Sequence, residues 1–217
     1  MDNYENNYWM LRLDDCEKAL TKNKFLVHRA ETAEEAGHIV LQELLPATGA
    51  RTLSWGGSTS VTRTGVLDAV KTDPQYECID TSDPSLSFED KIERRRQALL
   101  VDCYFTGTNA LTQTGKLVNL DMIGNRVGAL TFGPKHVIVI AGRNKLVADI
   151  EDALFRVKDR AAPPNAMRLD MKTPCVKTGF CEDCNSPQRI CNSWTITEKS
   201  FPKERIKVVL VNEDMGL

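Results

Sequence analysis

Short, strongly apolar runs alternate along the chain with stretches whose apolar residues recur every three to four positions. Phe25-Leu26-Val27 predicts a strand, and Thr32 behind it is placed to cap a helix while Glu35 closes the capping box. Ala36, Ile39, Val40 and Leu44 share one face of that helix, and Pro46 predicts its end. Thr52–Trp55 reads as the next strand, Gly56-Gly57-Ser58 as a turn, and the residues up to Val70 as a helix. A short strand follows at 76–80, and Ser87 caps a helix reaching Leu100. Cys103-Tyr104-Phe105 is strand-like and residues 116–121 look extended. Residues 136–141 (HVIVIA) and 207–211 (KVVLV) are unbroken and β-branched, the pattern of strands covered on both faces. Between these two, Leu146, Ile150, Ala153, Leu154 and Val157 form one helical stripe.

Strands alternating with helices predict an α/β fold, a mostly parallel sheet with helices on both faces. The 217 residues read as a single domain, with a helical extension over 1–23 and a Cys-rich insertion over 172–200 before the last strand. That insertion is too short to fold without a staple. A hydrophobic content of 41% beside 27% charged residues suits a globular chain with a buried core. The net charge of −2 supplies no footprint for nucleic acid or an anionic membrane surface. The one basic run, Arg94-Arg95-Arg96, follows Glu89, Asp90 and Glu93 and reads as a solvated helix face. The acidic, polar start and the lack of a bilayer-length apolar run predict a cytoplasmic protein without membrane insertion, whose thiols stay reduced.

In open α/β sheets ligands bind beyond the carboxyl ends of the strands. The first such loop, Gly56-Gly57-Ser58-Thr59, reads either as an anion site with backbone N–H groups turned to the ligand or as a tight turn. It has neither the Walker ending nor the dinucleotide fingerprint, so no nucleotide cofactor is predicted. The second, from Thr106 to Gly115, is dense in hydroxyls and amides, where a plain connection needs only a few residues. Gly107, Thr108 and Asn109 belong to it, and it continues through Asp121 to Asn125 and Arg126. Asp121 suits an acid or base, and Arg126 suits a carboxylate or phosphate ligand unless it pairs with a surface acid. The third loop carries Lys145, directed at an anion or at solvent, and Glu213 after the last strand is the alternative catalytic carboxylate. His28, His38 and His136 lack a Ser or Cys partner and suggest no triad.

Cys175, Cys181, Cys184 and Cys191 crowd into seventeen residues, while Cys16, Cys78 and Cys103 are scattered. One Cys-x-x-Cys pair flanked by single thiols fits an iron–sulfur cluster in part and structural zinc in part. Free or disulfide-bonded thiols are the third alternative. Cys103, on its strand, reads as a small buried hydrophobe.

The runs WGGSTS, YFTGTNALTQTGKLVNLDMIGNRVGALTFGPKHVIVIAGRNK, AAPPNAMRL, TPCVKTGFCEDCNSPQRICN and VVLVNEDMGL together resemble the lactate-utilisation (LUD) domain family over roughly residues 10–217. The resemblance implies a fold like that of the NagB/RpiA/CoA-transferase group. It also implies a role in oxidising L-lactate or a related small organic acid, with iron–sulfur partner proteins, and it carries over no catalytic residue. Two rival readings remain. One is a stand-alone isomerase or CoA-transferase-like enzyme using Asp121 or Glu213 on a phosphorylated or acyl substrate. The other is a non-catalytic, oligomer-forming or metal-stapled binding module.

Overall fold

Ten strands are present among the residues described in the computed structural model, 3–217. They are β1 (Leu26–Ala30), β2 (Thr52–Trp55), β3 (Glu77–Ile79), β4 (Cys103–Gly107), β5 (Ala110–Thr112), β6 (Leu117–Asp121), β7 (His136–Gly142), β8 (Leu146–Val147), β9 (Ser193–Thr197) and β10 (Ile206–Val211). Six of them form the central sheet in the order β1-β10-β7-β4-β2-β3, and every pairing in it is parallel. The predicted α/β architecture is the observed one.

Side chains alternate across a strand, so a sheet covered twice needs two apolar sets in one run. The strand β7 supplies both. Ile138 and Ile140 enter one core with Phe105, Val209 and Val211, while Val137, Val139 and Ala141 enter the other with Val208 and Leu210. The helices Ala33–Ile39 and Val66–Thr72 cover the first face through Ala36, Val66 and Val70. The N-terminal helix Asn3–Lys22 covers part of the second through Leu13, Cys16 and Leu20. Cys103 is fully buried in the first core, and burial pushes its thiol up to about 12.

Three local expectations are corrected. The helix after β1 passes Pro46 because its preceding turn, Val40–Leu44, is a π-turn in which the Leu45 N–H bonds Val40 O. Widening the turn by one residue accommodates a proline that lacks an N–H, and the run ends at Gly49 in the left-handed region (φ 64). The turn Val157–Ala161 does the same ahead of Pro163. Leu146 belongs to β8 rather than to the helical stripe, and the following helix, Ile150–Arg156, starts behind Asp149, whose side chain accepts from the Asp152 N–H.

The polar segment after β4 is a second sheet, ordered β8-β5-β6-β9. β5 and β6 form an antiparallel hairpin, and β9, inside the 172–200 segment, runs antiparallel to β6 from Ser193 opposite Asp121 to Thr197 opposite Leu117. Ala110, Val118 and Leu120 of this sheet pack against Ala153 and Val157. Among the described residues no helix is long and apolar enough to cross a membrane.

Gly142, at the end of β7, is where the C-terminal segment crosses the sheet edge. A Cβ there would lie 2.6 Å from both Glu213 O and Met215 N, two backbone atoms that cannot swing away. Gly142→Ala is expected to cost about 3 kcal/mol, the scale of overpacking against an unyielding neighbour. Denaturant unfolding checks this, and an unchanged midpoint would refute the close packing.

Candidate functional site

Because the central strands are parallel, the loops after β2, β4 and β7 emerge at one edge, and a cleft of about 440 Å³ opens there. Gly107 ends β4 at its floor. A Cβ on Gly107 would stand 2.7 Å from Ser58 Oγ and 3.6 Å from Lys145 Nζ, so its lack of a side chain lets a hydroxyl and an amine close over the strand end. Ser58 caps the turn Thr59–Arg63, its Oγ accepting from the Val61 N–H at 3.3 Å.

Lys145 comes from the tight turn Arg143–Lys145 and points inward, leaving 4% of the residue exposed. Its Nζ donates to Ser60 Oγ at 2.9 Å, and Ser60 Oγ donates to Met215 O at 3.2 Å. Burial lowers the amine to about 7, and the cationic Arg156 and Arg126 push in the same direction. Lys145 is thus a fixed amine whose charge at neutral pH depends on what enters the cleft.

Arg126 sits beside it as a structural pin. Its Nη1 donates to Asn119 Oδ1, and its Nη2 to Asn109 Oδ1 at 2.8 Å, Leu120 O at 3.1 Å and Asp121 Oδ1 at 2.5 Å. Asp121 Oδ2 accepts the Arg126 and Val127 N–H groups, both at 3.1 Å, and so caps the helix Asn125–Thr131. Asn109 Oδ1 also takes the Leu120 N–H at 2.9 Å, and the Asn109 N–H donates to Asn119 Oδ1 at 3.1 Å. This network locks the β4 and β6 ends together. Among the described residues, Asn119 Nδ2 is the buried side-chain polar atom left without a partner.

Of the residues singled out from sequence, Gly57, Ser58, Thr59, Gly107, Thr108, Asn109, Asp121, Asn125, Arg126 and Lys145 all line this cleft. Gly56 lies outside it, its N–H on Phe105 O and its α-carbon beneath the Arg126 chain. Glu213 is outside too, held by Arg63 Nη2 at 2.9 Å and the Ala33 N–H at 3.2 Å. Asp121 lines the cleft with both oxygens engaged by the protein. Two arginines read otherwise from sequence also reach it. Arg95, of the supposed solvated face, and Arg168, from the helix Ala162–Arg168, bring the ionisable lining to four basic side chains against Asp121 alone. No local spacing signals them, since each comes from an element far along the chain.

All seven cysteines are free thiols. Among the described residues no three His, Cys, Asp or Glu side chains are grouped so as to hold a metal ion as they stand.

The LUD domain family matches residues 13–211 of the chain. A crystal structure of a DUF162 family protein from Deinococcus radiodurans is similar with a TM-score of 0.51, over 94% of this chain and 98% of that one. At 14% identity this likeness speaks for the fold alone. No curated protein matches the chain.

Proposed function

The chain belongs to the LUD domain family, and on that premise we propose that its strand-end cleft binds a small organic-acid anion. The protein then serves the oxidation of L-lactate or a related acid as an accessory or subunit. An iron–sulfur partner protein receives the electrons. The observation that carries this reading is Lys145, a buried amine fixed by Ser60 on the cleft floor, with only cationic groups acting on it. An entering carboxylate supplies the missing counter-charge, and the amine takes up a proton to meet it. Arg95 and Arg168 add attraction from the rim.

The Ser58 and Thr59 hydroxyls stand where they can meet the hydroxyl or keto oxygen next to such a carboxylate. Thr108 Oγ1 donates to Ala110 O at 2.9 Å and so presents its lone pairs. A cleft of about 440 Å³ exceeds what a three-carbon acid fills and leaves space beside it for an electron-accepting group from a partner. Neither carboxylate of the isomerase or transferase reading is free in the cleft, since Asp121 is engaged and Glu213 lies elsewhere.

Calorimetric titration with L-lactate, with pyruvate and with inorganic phosphate tests the reading. Binding of both acids, each competing with the other, is the expected result. Failure of both acids while phosphate binds would overturn the organic-acid assignment.

A further inference from the structure

The Cys-rich segment has almost no apolar support of its own. Between residues 172 and 192 only Thr173 and Ile190 are buried, and the one helical element is the single turn Cys175–Thr178. A stretch this irregular and exposed holds one shape only with a cross-link or a metal. Yet Cys175, Cys181, Cys184 and Cys191 all line one small cavity against the helix bearing Ala162 and Pro163.

The chain is already shaped around that cavity. Gly179 (φ 81) turns it after Cys175, and Asp183 (φ 47) turns it between Cys181 and Cys184. At that second turn the Asp183 N–H donates to Cys181 Sγ at 3.4 Å. Arg189 then ties the two later cysteines together, donating from Nη1 to Cys184 O at 2.5 Å and from Nε to Cys191 O at 2.9 Å. Lys158 also borders the cavity, and Asp183 bridges it to Arg189 through contacts of 3.0 and 2.8 Å. Two cations beside one carboxylate leave net positive charge next to four thiols, which favours their ionised forms.

We propose that Cys175, Cys181, Cys184 and Cys191 bind a single zinc ion as a tetrathiolate. Four thiols yield four protons as the four Zn–S bonds form, and no oxidant or reductant is consumed. The cavity, about 20 Å³, is the size of one atom rather than of a four-iron cube. The ion has a consequence beyond its own loop. Ile190 lines both this cavity and the anion cleft, and Ala161 and Asn165 of the cleft wall adjoin Ala162 and Pro163 of the cavity. Zinc therefore fixes one wall of the cleft by holding segment 173–191 against it.

The test measures metal and sulfide in the full chain purified without chelator, together with the absorption spectrum after cobalt replacement. One zinc per chain is expected, with the strong visible bands of tetrahedral cobalt bound by sulfur. Cys184→Ser should lose the metal, whereas Cys78→Ser, whose thiol bonds Val70 O elsewhere, should keep it. Chelation of the wild-type protein should open residues 172–192 to protease while the sheet stays intact. Iron with acid-labile sulfide, disulfides among the four cysteines, absence of metal after zinc addition, or zinc retained by Cys184→Ser would each overturn the assignment.

Discussion

Lys145→Met is expected to stabilise the protein at about pH 6 and to abolish organic-acid binding in the same variant. The folded chain holds this amine at about 7 against an ordinary 10.5 because its charged form is buried. With the folded value depressed, the unfolded chain binds more protons between these two values, so wild-type stability rises with pH across that window. Below it, the folded chain bears the full cost of an ammonium without a counter-ion. Methionine removes that cost and nearly matches the volume, and Ser60 keeps its bond to Met215 O. The gain should be about 1–3 kcal/mol at low pH and should shrink toward zero near pH 10. Binding should weaken by roughly 10- to 100-fold, the worth of a charge-assisted hydrogen bond. Thermal melts across pH, with titrations of L-lactate and pyruvate, check both halves. A variant that is less stable at low pH, or that binds as wild type does, would refute the role given to Lys145.

Asp121→Ala carries the largest expected loss. It leaves Arg126, whose side chain is 12% exposed, without its carboxylate, and it strips the cap from the helix Asn125–Thr131. Removing one partner of a buried ion pair strands the other, at about 3–5 kcal/mol. Asp121→Asn keeps an acceptor for the two N–H groups and should cost less than the alanine variant. Arg126 also joins Asn109 to Asn119, so acid binding should fall together with stability. Denaturant unfolding of both variants measures this. A loss below about 1 kcal/mol for the alanine variant would show the pair to be solvent-screened.

Strand identity was most legible where burial on both faces leaves an unbroken apolar run, as in β7 and β10. The capping box was legible too, because its chemistry is local. Thr32 Oγ1 accepts from the Glu35 N–H at 3.1 Å, although Glu35 reaches back to the Glu31 N–H rather than to that of Thr32. The second sheet was not legible. β5 and β8 span three and two residues, too few for a period to register, and β9 is half-exposed. Pro46 misled because a π-turn leaves no mark in apolar spacing.

The cleft was legible as a set of loops but not as a division of labour. Position alone gave Arg126 and Asp121 to the ligand, whereas their partners Asn109 and Asn119 come from other strand ends and spend their hydrogen bonds within the protein. Lys145, by contrast, gains its character from long-range burial, which no neighbouring residue announces.

The central claim is that Lys145 is a largely neutral amine which becomes charged when an organic-acid anion binds. Calorimetry of pyruvate binding near pH 8, repeated in two buffers of different ionisation enthalpy, measures the protons taken up. The account predicts uptake approaching one proton per bound acid in the wild-type protein and none in any residual binding by Lys145→Met. Wild-type binding without proton uptake would contradict it.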